Sequence, residues 1–138
     1  MALYYADSSA LVKLVLDERQ SAALRQFLSG GGELMVSELA LSEVPRAVRR
    51  ACARDHDLDL DVLLERSGRI LEAVGLHPVD RDVLIDAGAL PEPALRALDA
   101  VHVATAIRST PPGGFITYDE RQAAAARLAG LRTFAPGD

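Results

Sequence analysis

The sequence predicts an α/β fold in which a parallel sheet is covered by helices on both faces. Three observations predict it. Short apolar runs of strand character recur along the chain, and between them lie segments whose apolar residues fall at helical spacing. The strands alternate with helices at the intervals that parallel crossover connections need. The 138 residues are 49% hydrophobic and 25% charged, an ordinary globular balance in a chain long enough to bury the core of one domain.

In chain order, Leu3, Tyr4, Tyr5 and Ala6 form the first strand. Leu11, Val12, Val15 and Leu16 mark a helix that Ser8 or Ser9 can cap. Asp7 stands at the joint, where it can serve as a helix cap or as a ligand at a strand's carboxyl end. Ser21 to Leu28 is a second amphipathic helix, with Ala22, Leu24, Phe27 and Leu28 as its inward set. Gly30, Gly31 and Gly32 end it. No Lys-Ser/Thr pair or helix start follows these glycines, so they read as a linker and not as a phosphate loop.

Leu34 to Val36 is the second strand. Ser37 then caps a helix running through Glu38, Leu39, Leu41, Glu43, Val44, Val48 and Ala51, which Pro45 is expected to kink or split. Arg46, Arg49, Arg50 and Arg54 recur at spacings of three and four and share a face, either solvated or following a phosphate backbone. Asp55 to Asp61 alternates acids but lacks the central Gly and terminal Glu of a calcium loop, so it reads as a polar connection containing an exposed His56.

The next helix spans Val62 to Val74, with Gly75 as its C-cap. Leu76 to Val79 suits an edge strand because of Pro78, and Asp80 opens the helix Arg81 to Ala87. Pro91 and Pro93 precede the apolar helix Leu95 to Ile107, which carries Asp99 in its middle and His102 three residues later. Phe115 to Tyr118 is the fourth strand, followed at once by Asp119. The helix Glu120 to Ala129 stops at Gly130, and Arg132 to Phe134 is a last short strand.

A single cysteine, Cys52, excludes an intramolecular disulfide and reads as a small buried hydrophobe. The start is not followed by a basic then apolar leader, and Lys13, Glu43 and Arg96 interrupt the apolar runs well short of a bilayer span. The expectation is a cytoplasmic protein without a membrane segment. A net charge of −5 argues against nucleic acid as a partner, unless the acids gather in a metal site with the basic residues along its rim.

Four acids stand out by position: Asp7 after the first strand, Glu43 on the helix after the second, Asp99 on an apolar helix, and Asp119 after the fourth strand. The carboxyl ends of parallel strands share one edge of the sheet, where ligands bind. Carboxylates gathered there repel one another and raise one another's pKa unless cations neutralise them. Mg²⁺ or Mn²⁺, which prefer oxygen ligands, are the natural counterions. Such hard cations make His102 a packed or hydrogen-bonded core residue and not a ligand.

The segments Asp7 to Leu14, Ser37 to Ala47, Leu98 to Ala106 and Thr117 to Arg121 together resemble the motifs of PIN-domain ribonucleases, and more narrowly of the VapC toxins of bacterial toxin–antitoxin pairs. The resemblance covers nearly the whole chain. It implies a three-layer α/β fold, with a central parallel sheet of about five strands flanked by helices, over residues 1–138 as a single domain. It implies Asp7, Glu43, Asp99 and Asp119 as catalytic, metal-binding carboxylates, which leaves capping of the first helix to Ser8 or Ser9. Ser8 and Thr117 would support them, and Lys13, Arg46 and Arg49 would contact RNA. The implied chemistry is hydrolysis of RNA with Mg²⁺, or Mn²⁺, as cofactor. The implied partners are the RNA substrate, a cognate VapB-type antitoxin and a second copy in a homodimer.

Leu11, Val15, Leu24 and Phe27 are more apolar residues than one sheet face needs and could serve such protein contacts. Two other classes of function compete. Phosphoryl transfer through an aspartyl phosphate on Asp7 wants a second Asp two residues on, where Ser9 stands. A non-catalytic RNA-binding or protein-interaction module would use the acids only as helix caps.

Overall fold

The structure, a computed structural model, describes residues 2–138. Five strands, β1 (Leu3–Ala6), β2 (Glu33–Ser37), β3 (Gly75–His77), β4 (Gly114–Ile116) and β5 (Thr133–Phe134), form one sheet in the order β3-β2-β1-β4-β5. Every pairing is parallel. Seven helices connect and cover them: α1 (Ser8–Val15), α2 (Ser21–Leu28), α3 (Ala40–Arg54), α4 (Leu60–Ala73), α5 (Arg81–Ala89), α6 (Ala97–Ser109) and α7 (Glu120–Leu128).

The period-two alternation of strand side chains divides the interior into layers. Ala6, Val36 and Ile116 pack into one core with Leu11, Val15, Leu24, Val44, Val48 and Leu63 of α1 to α4. Their neighbours Tyr5, Met35 and Phe115 face the other way, onto Val103 and Ala106 of α6 and Ala125 and Ala126 of α7. A third cluster seats Val83 and Ala87 of α5 against Ala100, Val101 and Ala104 of α6. The predicted three-layer arrangement is therefore present. Leu11, Val15 and Leu24, considered above for partner contacts, are at most 1% exposed and belong to the core, with Phe27 packed against it. Among the described residues, no helix is long and apolar enough to cross a membrane.

Several local expectations change. α3 runs unbroken through Pro45. The missing proline N–H would have bonded the carbonyl of Leu41, a residue on the exposed side of the helix, where water can take its place. Ser37 caps no helix directly; its Oγ accepts the Leu39 N–H in the turn before α3. Gly75 opens β3 instead of capping α4, because pairing with Met35 draws it into the sheet. α6 begins at Ala97, so Asp99 lies in its first turn, where the helix dipole favours a carboxylate. Cys52 is only partly buried.

Gly114 holds β4 against β5 at φ +117, and a Cβ there would lie 2.7 Å from the carbonyl oxygen of Arg132. Gly114→Ala is expected to lower stability by about 1–3 kcal/mol, read from the denaturant midpoint.

A candidate active site at the carboxyl edge of the sheet

The chain leaves β1 toward β2 on one side and reaches β4 on the other, so the crevice between the carboxyl ends of β1 and β4 is the switch point of the sheet. Asp7 occupies the end of β1. Its backbone is extended while Ser8 is already helical, so Asp7 itself is the N-cap, and Oδ1 accepts the Ala10 N–H at 2.9 Å. This corrects the assignment of the cap to Ser8 or Ser9. The Ser9 hydroxyl instead donates to Asp7 Oδ1 at 2.9 Å. Asp7 Oδ2 accepts the Thr117 hydroxyl at 2.8 Å, and Thr117 Oγ1 accepts the Asp119 N–H at 3.1 Å. The ends of β1 and β4 are thereby tied together through a carboxylate that is 1% exposed. Burial pushes the Asp7 carboxyl above its ordinary pKa, against the opposing pull of His102 and of the Ala10, Thr117 and Ser9 hydrogen bonds.

Glu43 reaches the same edge from α3. Its Oε1 accepts the Ser8 hydroxyl at 2.8 Å and lies 2.7 Å from His102 Nε2. Burial raises its pKa, but His102, the Ser8 hydroxyl and the charge of Arg50 together bring it below the usual carboxylate value. Glu43 and Asp119 line one open cavity of about 510 Å³ with Ser8, Lys13, Arg50 and Tyr118. Lys13 Nζ sits 4.8 Å from the centre of the Tyr118 ring and 3.7 Å from Glu18 Oε1.

Of the arginines, Arg50 lines this cavity while Arg46 and Arg49 are exposed and do not. Helix geometry explains the difference. Arg50 is seven residues beyond Glu43 and lies nearly above it, whereas Arg46 and Arg49 are rotated roughly 60° and 120° away. That rotation was available from the spacing alone.

Asp119 caps α7, its Oδ1 accepting the N–H groups of Arg121 and Gln122. Asp99 Oδ1 accepts the Gln122 Nε2–H at 3.1 Å, so the buried amide of Gln122 fastens α6 to the helix that Asp119 caps. Among the described residues, then, Glu43 and Asp119 share the cavity, Asp7 lies directly behind its serine wall, and Asp99 does not line it but is bonded to Gln122 in the first turn of the helix that Asp119 caps. No three His, Cys, Asp or Glu side chains among the described residues are grouped closely enough to form a ready-made metal cage. The hydrogen bonds of Glu43, Asp99 and Asp119 each fall on one carboxylate oxygen. His56 is exposed, and His77 ends β3 at the same edge but two strands from β1 and outside the cavity lining.

Comparison with known proteins gives four likenesses. Residues 4–128 match the family model described as PIN domain. The chain is 41% identical over 138 residues to Ribonuclease VapC46 of Mycobacterium tuberculosis, covering 99% of both chains. Among solved structures it resembles VapC20 of Mycobacterium tuberculosis, described as a Sarcin-Ricin loop cleaving toxin, with a TM-score of 0.72 and 17% identity. That match covers 96% of this chain and 99% of the other. It also resembles a chain of VapBC2 from Rickettsia felis bound to a promoter DNA fragment, with a TM-score of 0.67 and 12% identity over 96% of this chain and 97% of that one.

Proposed function

The chain belongs to the PIN domain family, and on that premise we propose that it is a VapC-type endoribonuclease toxin that hydrolyses RNA phosphodiester bonds with Mg²⁺ or Mn²⁺ and is inhibited by a cognate VapB-type antitoxin. The observation that carries the proposal is the meeting of Glu43 and Asp119 in one cavity at the switch point, with the buried carboxylate of Asp7 immediately behind.

The donor set fits a hard cation. It consists of carboxylate and hydroxyl oxygens, and Glu43 Oε2 and Asp119 Oδ2 carry no hydrogen bond among the described residues. Mg²⁺ needs only one or two carboxylates and keeps several waters, so the absence of a closed cage suits it. Asp7, Glu43, Asp99 and Asp119 would hold the ion. When bound, it would make a water more acidic and offset charge on the leaving oxygen of the phosphodiester.

The protein's own groups do the positioning. Asp119 or Asp99 orients the attacking water and takes its proton. Ser8 and Thr117 fix Glu43 and Asp7 through their hydroxyls. Lys13 and Arg50 supply positive charge to the RNA backbone at the cavity, with Arg46 and Arg49 extending it along the exposed face of α3. Arg50→Ala is expected to raise KM for RNA and to reduce the slope of log affinity against log salt by about 0.7, the value for one single-strand phosphate contact. A titration of binding against NaCl measures it.

The partners follow from the same reading. The antitoxin is a small protein made alongside the toxin, the compartment is the cytoplasm with its RNA, and the working unit is a homodimer. Leu84 and Ile85, 51% and 62% exposed on α5, are apolar residues that a second copy would cover. Sedimentation of the isolated chain tests this: a dimer is expected, and a monomer at all concentrations contradicts it.

Asp7 and Asp119 both cap helices, which is how a non-catalytic RNA-binding or interaction module would use them. Incubation of the purified chain with a panel of stem-loop RNAs in Mg²⁺ separates the readings. Internal cuts support the ribonuclease, while binding without cutting supports the module.

A further inference from the structure

A continuous hydrogen-bonded chain crosses the interior behind the cavity. The Ser37 N–H, at the end of β2, donates to Tyr5 Oη at 3.1 Å. Tyr5 Oη lies 2.8 Å from His102 Nδ1, and His102 Nε2 lies 2.7 Å from Glu43 Oε1 and 3.2 Å from Ser8 Oγ. Tyr5 is 0% and His102 2% exposed, so water does not compete for these groups.

The direction of the chain is fixed by its first member. Tyr5 Oη already receives the Ser37 N–H, and an ordinary phenol is protonated at neutral pH, so its own O–H is left to donate. Assigned to the 2.8 Å contact with His102, that proton makes Nδ1 the acceptor. The ring proton is left on Nε2, facing Glu43. Which nitrogen of a histidine carries the proton is decided by the bond made at the other one.

Resting on the ribonuclease reading above, we infer that His102 is a positioning residue that holds the Glu43 carboxylate in its metal-binding orientation, and that Tyr5 sets the tautomer by which it does so. A histidine serving only to fill the core would leave its last donor inside the core. This one ends on a carboxylate oxygen that lines the cavity. With Oε1 held by His102 and Ser8, Oε2 is the oxygen left to face a cation. Supporting partners of this kind cost about 10–100-fold in metal affinity when removed.

The test is calorimetric titration of Mn²⁺ into the parent chain and into His102→Leu, His102→Gln and Tyr5→Phe, each checked for native circular dichroism. Nitrogen-15 NMR of the histidine rings is recorded alongside. His102→Leu is expected to bind Mn²⁺ about 10–100-fold more weakly. His102→Gln, whose amide N–H replaces Nε2–H, is expected to recover most of that loss. Tyr5→Phe is expected to weaken binding less and to shift the ring nitrogen signals toward the other tautomer. If His102→Leu does not fold, His102→Gln and Tyr5→Phe decide the matter through the same pattern. A folded His102→Leu that binds Mn²⁺ like a parent competent in binding and cleavage overturns the positioning role alone, as does a parent spectrum with the proton on Nδ1. A parent that neither binds Mn²⁺ nor cuts RNA overturns the ribonuclease reading, and the positioning role with it.

Discussion

Asp7→Asn is expected to reduce RNA cleavage by about a thousandfold or more while leaving the protein as stable as the parent at neutral pH, or more stable. The asparagine carbonyl can still accept the Ala10 N–H and the Ser9 hydroxyl, and its amide can donate to Thr117 Oγ1, so the cap and the β1 to β4 tie survive. The loss is the negative charge. Because burial raises the folded-state pKa of Asp7 above its unfolded value, protonation favours the fold, and that contribution disappears as pH rises through the folded pKa. Above the folded pKa the parent therefore bears the cost of a buried anion and the variant does not. The excess stability of Asp7→Asn should shrink to nothing as pH falls below the unfolded pKa. Denaturant midpoints across pH 3 to 8, read beside initial cleavage rates, measure both effects. A site that sacrifices stability for charge gives this combination, whereas a carboxylate serving only as a helix cap gives unchanged cleavage.

Glu43→Gln is expected to cost about a hundredfold or more in cleavage with the opposite effect on stability, a loss of about 1–2 kcal/mol at neutral pH. Here the folded-state pKa lies below the unfolded one: burial opposes the charge, but His102, Ser8 and Arg50 outweigh it. The charged form thus stabilises the fold above the unfolded pKa, and the contribution is lost as pH falls through the folded value. Parent and variant should converge in acid, approached from the side opposite to Asp7→Asn. The same pair of measurements on both variants separates two carboxylates that a sequence reading would treat alike.

The strands, their parallel order along one edge, and the arrival of Asp7, Glu43 and Asp119 near that edge were legible because each depends on local pattern. Apolar runs define strands, and an acid immediately after a strand end is placed by connectivity alone. The relations that set the character of the site are long-range. Glu43 meets His102 across 59 residues and Tyr5 meets His102 across 97, and no periodicity in the sequence reports either contact. Gln122, which secures Asp99, sits among small residues of α7 and reads as an ordinary helix position. Local rules failed where tertiary context could absorb the violation. Pro45 does not split α3, since the bond it forfeits lies on the solvent side. The helix start at Ala97 places Asp99 in a favourable first turn, which lightens the demand for a partner that a mid-helix position would have imposed. Arg50, read from the sequence only as one of four arginines sharing a face, could have been singled out by geometry, since its offset from Glu43 is close to two full turns.

The most direct measurement is cleavage of stem-loop RNAs by the purified chain in Mg²⁺, after EDTA, and after Mg²⁺ is restored in excess of the chelator. The carboxylate site predicts internal cuts in Mg²⁺, none in EDTA and full recovery on restoration. Cutting that persists undiminished in EDTA would contradict it.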